Sequence, residues 1–108
     1  MNKHILTKMV DALIEIKGFI TQFPTAKFKI GKTNDYQRRQ KEHELDGYTH
    51  FQVIAESTSL EDINELEQVL IKFSTAFYKD NIENERNGKG GNISNSNNYY
   101  IYLISKSK

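Results

Sequence analysis

Cysteine is absent from the 108 residues, so the chain can form no disulfide and no thiolate metal site. That absence fits a reducing compartment and sets the expectation of a cytoplasmic protein. Tryptophan is also absent and proline occurs once, at Pro24. No apolar run approaches the ~20 residues of a membrane-spanning helix. The first residues lack the apolar core of a signal peptide. Neither charge sign dominates: fifteen Lys+Arg against fourteen Asp+Glu leave a net charge of +1. A protein that captures nucleic acid by bulk electrostatics carries a larger excess of positive charge. Any such role therefore rests on local placement, and Lys27, Lys29, Lys32, Arg38, Arg39 and Lys41 do cluster in one short segment.

Apolar spacing predicts the elements. Leu6, Met9, Val10, Leu13, Ile16 and Ile20 recur at three- and four-residue steps, which predicts an apolar stripe on a helix over 4–22. Phe23-Pro24 stops it. Residues 26–32 alternate, with Ala26, Phe28 and Ile30 on one face, as in a half-buried strand. Thr33 or Asn34 is expected to cap a helix over about 35–45. After the Asp46-Gly47 turn signal, residues 48–56 predict a strand with Phe51, Val53 and Ala55 on one face. Ser59-Leu60-Glu61-Asp62 resembles a capping box. It opens a helix over about 60–78 with Ile63, Leu66, Leu70, Phe73 and Phe77 inward. Residues 79–98 hold seven asparagines and three glycines and predict a flexible polar loop. Residues 99–104 are aromatic and β-branched, as in a final strand. The expected architecture is a single α+β domain over 1–108: a small, mainly antiparallel three-stranded sheet flanked by helices, with an N-terminal helix within 1–24.

Four groups of residues could carry chemistry. Glu67 lies about 40° from both Ile63 and Ile71 on the helical wheel. A carboxylate in an apolar sector is costly unless it is paired or holds a metal, so it is either a metal ligand or the partner of a lysine or arginine. Arg39 and His43 share one face of a helix with few apolar residues: this is either a solvated surface helix with an Arg–Glu pair, or a face whose arginine grips a phosphate with two parallel hydrogen bonds. Gly31, within Phe28-Lys29-Ile30-Gly31-Lys32-Thr33, belongs to no P-loop, because the upstream glycine is missing; it permits a tight strand exit or a close backbone approach instead. Asn87-Gly88-Lys89-Gly90-Gly91-Asn92 could cradle a phosphate with backbone N–H groups or serve as a plain connection. Tyr100 and Tyr102 share one strand face and could be sheet packing or supply a hydroxyl for proton transfer.

In combination these residues resemble the GIY-YIG nuclease superfamily over 26 to about 80. The run from Phe28 to Thr33 looks like that family's second strand, with Lys29 in the first position of the "YIG" triplet. Arg39 matches the family's arginine by its spacing from Gly31, and His43 a site residue one turn on. The stretch from Gln52 to Lys72 resembles the excision-repair member of the family. The resemblance implies a DNA endonuclease that uses one Mg²⁺ or Mn²⁺ held by Glu67. It also implies Arg39 on the phosphate, a tyrosine as general base, and Lys29, His43, Lys32, Tyr100 and Asn81 or Asn92 as further contacts.

The "GIY" strand that should precede Phe28 is replaced by a helix. Either Tyr100-Ile101-Tyr102 is that strand moved to the other end, with Tyr102 as base, or the catalytic tyrosine is lost. A chain without its base would be a module that binds nucleic acid or a protein partner, such as a phage accessory or inhibitor protein. A nuclease this small would cut both strands as a homodimer, for instance through the first helix, or in two events.

Overall fold

In the computed structural model, which describes residues 3–84 and 94–106, the elements alternate along the chain. They are α1 (Lys3–Gln22), β1 (Phe28–Thr33), α2 (Tyr36–Leu45), β2 (His50–Ser57), α3 (Leu60–Phe77) and β3 (Tyr99–Ser105). The expected α+β class and antiparallel three-stranded sheet are both present.

The strand order is β1-β3-β2. The last strand is the central one and runs antiparallel to both neighbours. Its pattern explains this. A central strand with covered faces reads as a continuous apolar run, and residues 101–105 of β3 are all buried.

One sheet face carries the aliphatic core. Phe28, Ile30, Ile101, Leu103 and Ile54 pack with Ile5, Ala12, Ile16 and Phe19 of α1 and with Ile63, Leu66, Leu70 and Ile71 of α3. Among the described residues the one helix on the opposite face is α2, which has no buried residue. That agrees with its shortage of apolar positions.

Several expectations are corrected. The buried stripe of α1 is Ile5, Ala12, Ile16 and Phe19. Leu6 and Val10 are largely exposed, as is Ile14, while Met9, Leu13 and Ile20 flank the core. Apolar residues cover most of this helix's circumference, so spacing alone could not choose which arc faces the sheet. Phe77 is exposed rather than inward, because it lies in the last turn of α3 and stacks on Phe73 instead. The cap of α2 is Asp35, whose carboxylate accepts from Arg38 N; Thr33 supports it by accepting from Asp35 N. In β2 the register slips between Val53 and Ala55. This β-bulge ends the expected shared face of Phe51, Val53 and Ala55. The α3 cap stands as expected, with Ser59 Oγ accepting from Asp62 N.

The outer edge of β1 is not bare. Phe28 N donates to Asn81 O, Glu83 N donates to Phe28 O, and Ile82 forms a parallel bridge with Phe28. Asn84 continues the pairing with its side chain, accepting from Ile30 N and donating to Ile30 O, both at 2.7 Å. The start of the segment expected as a polar loop thus covers a sheet edge.

Candidate functional site

The α2 face of the sheet gathers most of the candidate residues. Tyr36, Arg39 and His43 recur at three- and four-residue steps, so one side of α2 lies along β3. Tyr36 meets Tyr100 edge-on with ring centroids 4.9 Å apart. His43 Nε2 lies 3.1 Å from the Tyr102 hydroxyl. Arg39 sits between these two contacts in sequence.

Tyr102 is the centre of the cluster. It is buried, stacks on Phe51 at 4.9 Å and pairs across the strands with Gly31. Gly31 is glycine for a steric reason. A Cβ built there would stand 2.5 Å from the phenol ring carbon and hydroxyl, so the ring occupies the space that any other residue would fill. In place of a strand exit or a backbone neighbour, Gly31 gives a seat to a tyrosine.

Burial pushes the Tyr102 phenol above its usual range; the Arg39 guanidinium opposes this, and Glu67 and Glu42 add to it. The phenol is therefore neutral near pH 7. Burial pulls His43 below its usual range, helped by Arg39 and Lys29 and opposed by Asp46 and Glu42. The imidazole is accordingly neutral and able to accept a proton. Its Nδ1 is buried and has no hydrogen-bond partner among the described residues, and the same holds for Arg39 Nε. Arg39 Nη1 donates to Glu42 Oε1 at 3.1 Å, and Glu42 also pairs with Arg38 at 3.7 Å. Such half-exposed pairs are weak, so a phosphate can replace Glu42 on Arg39 at small cost.

Glu67 and Lys32 belong to the other sheet face, because Lys32 pairs across the strands with core residue Ile101 while its neighbour Gly31 pairs with Tyr102. Glu67 is only 3% exposed, and Lys32 Nζ lies 3.5 Å from its Oε1. Lys32 is held in place by donating to Asn64 Oδ1 at 2.7 Å. Burial raises the Glu67 carboxyl above its usual range, while Lys32 pulls it back. From that face the Glu67 carboxylate adds to the upward shift of the Tyr102 phenol. Among the described residues no three carboxylate or imidazole side chains converge as a metal cage. A hard cation of the Mg²⁺ type needs only one or two protein carboxylates when water and substrate phosphate complete its shell. Glu67 is the one carboxylate of this pair, and Lys32 stands against its Oε1.

Asn81 stands apart from this cluster. Its side chain donates to the Pro24 and Ala26 carbonyls and ties the start of β1, so it has a structural task in place of the expected substrate contact. Asn92 lies outside the described residues. The Arg39–Glu42 pair is the one expected of a solvated surface helix. Asn64 was not anticipated, because only the fold pairs it with Lys32, 32 positions away.

The T5orf172 domain profile matches residues 18–98, about three quarters of the chain. The chain belongs to the T5orf172 domain family. This is a phage-associated domain related to nuclease-like folds. The matched T5orf172 region contains Gly31, Arg39, His43 and Glu67 but stops before β3 and Tyr102. No curated protein matches the chain, and no solved structure does. No helix among the described residues is long and apolar enough to cross a membrane.

Proposed function

We propose that this T5orf172 domain is a DNA endonuclease hydrolysing phosphodiester bonds, built on a GIY-YIG-like frame in which β3 serves as the displaced "GIY" strand. The observation that carries this reading is the convergence of Lys29, Arg39, His43 and Tyr102 on one sheet face. Supporting it, β3 lays its tyrosine against the glycine of the Lys29-Ile30-Gly31 triplet.

A neutral phenol is a poor base alone. With His43 Nε2 beside it, the phenolic proton passes to the imidazole as Tyr102 Oη takes a proton from the attacking water. The hydroxide formed attacks phosphorus, the bond from phosphorus to the sugar oxygen breaks, and the departing oxygen is protonated from solvent; Tyr102 ends neutral, and His43 ends as imidazolium that returns its proton to solvent. Arg39 releases Glu42 and binds the phosphate oxygens, stabilising charge that grows during attack. Lys29 adds positive charge on the same face. Glu67 would hold the Mg²⁺ or Mn²⁺, with Lys32 yielding Oε1. When bound, such a cation polarises the phosphoryl group and neutralises charge.

The test is plasmid cleavage with Mg²⁺ or Mn²⁺ by the wild type, Arg39→Ala and Glu67→Ala, with folding checked by circular dichroism. Nicking that both substitutions abolish is expected. Cleavage that is absent, or indifferent to both, would favour the second reading. In that reading Lys32 permanently neutralises Glu67, and the domain binds nucleic acid or a protein partner without hydrolysis. The 3.5 Å Lys32–Glu67 pair is the observation in its favour.

A further inference from the structure

Beside the Tyr102 cluster, on the same sheet face, lies a groove of about 420 Å³ lined by Tyr36, Val53, Ile54, Ala55, Glu56 and Tyr100. Its position follows from α2. Tyr36 is one turn before Arg39, so the groove and the candidate phosphate grip are neighbours on one helix side. Tyr100 is two residues before Tyr102 on the central strand, about 6.6 Å along it.

The β-bulge shapes the groove. With regular pairing beyond Val53↔Tyr102, Ala55 would stand opposite Tyr100. The extra residue moves Ala55 to Ile101 and brings Glu56 opposite Tyr100. The bulge therefore replaces a methyl group beside the tyrosine ring with an exposed carboxylate, and bulges next to functional sites re-aim side chains in this way. An aromatic wall, an apolar floor at Val53 and a carboxylate at the rim suit a flat, apolar-faced ligand with amino hydrogens at its edge. The cavity has the size of a small-ligand site.

We propose that this groove is a nucleobase subsite: it takes an unpaired base from the strand whose phosphate Arg39 holds, stacking it by Tyr36 and Tyr100 and engaging its exocyclic amino group with Glu56. The inference rests on the nucleic-acid reading of the neighbouring cluster and narrows its substrate to DNA with an unstacked nucleotide at the site. A base within a duplex has both faces covered by its neighbours and cannot enter. Stacking on tyrosine tolerates any base. A carboxylate acceptor favours bases with an amino group, as in carboxylate contacts to cytosine, and disfavours thymine.

Binding of labelled oligonucleotides, followed by fluorescence anisotropy in EDTA so that nothing is cut, tests this. The wild type should bind a single-stranded dC homopolymer roughly tenfold tighter than a duplex of equal length, and tighter than a dT homopolymer. Tyr100→Leu and, independently, Tyr36→Ala should remove the single-strand preference, Tyr100→Phe should keep it, and Glu56→Ala should erase only the difference between dC and dT. Circular dichroism confirms that each variant is folded. Equal or duplex-favouring affinity, or a single-strand preference that survives both Tyr100→Leu and Tyr36→Ala, would overturn the subsite and leave the neighbouring cluster as a nucleic-acid site. Absence of binding to any DNA or RNA probe would overturn both.

Discussion

The two faces of this sheet are built by opposite rules. The face under α1 and α3 is aliphatic, closed and continuous, with the buried Lys32–Glu67 ion pair at its margin. The face under α2 is aromatic, polar and half-open, and the helix covering it buries no residue. Burial of apolar area stabilises by about 25 cal/mol per Å², so the first face supplies most of the folding free energy. The second holds a glycine kept bare for a phenol, and two polar nitrogens without partners among the described residues. Most of the buried core lies on one side of the sheet and most of the candidate site on the other, Glu67 being the exception, and β3 contributes to both.

Truncation should break this contrast most plainly. Phe28 is fully buried on the closed face, and Phe28→Ala should cost about 3–5 kcal/mol. Phe51, half-buried on the open face, should cost clearly less on the same change. Denaturant unfolding of the two variants measures the difference, and equal losses would mean that α2 is packed as firmly as α3.

Lys32→Met should come next, at about 3 kcal/mol, because it strands the buried Glu67 carboxylate. Adding Glu67→Gln should restore most of the loss. A double-mutant cycle that closes additively would show that the two charges are not coupled.

Gly31→Ala should cost about 1–3 kcal/mol through overpacking against Tyr102. The same change in Tyr102→Ser, where the ring is gone, should be nearly free.

The smallest effect concerns pH. His43 is depressed in the folded state, so its contribution to stability is present above the ordinary histidine value of 6.5 and is lost as pH falls below it, since the unfolded chain then binds the extra proton. His43→Gln should flatten that acid limb of the thermal midpoint; an unchanged limb in the variant would assign it to other groups.

Much of this was legible in advance, and the gaps have physical causes. The helices and strands announced themselves by apolar period, and the pairing of Ser59 with Asp62 N by local spacing. Arg39 and His43 could be placed together because one helix holds both. Glu67 stood out because a carboxylate broke an apolar sector, yet its partner Lys32 could not be named. That pair forms only when β1 packs on α3, a matter of tertiary register rather than periodicity. The bulge in β2 was invisible, because Val53, Ile54 and Ala55 fit either register by polarity. Leu6 and Val10 misled because apolar character does not entail burial. Asn84 looked like any loop asparagine until its amide was found completing the edge of β1.

The central place of β3 also bears on how the chain is made. Strands β1 and β2 emerge from the ribosome well before the strand that lies between them, and neither hydrogen-bonds to the other in the finished sheet. The nascent chain can form its helices early, since those contacts are local. The sheet has to wait until Tyr99–Ser105 is synthesised. A product cut short before Tyr99 would carry two strands with no common neighbour, an exposed aliphatic face, and a ready target for proteolysis.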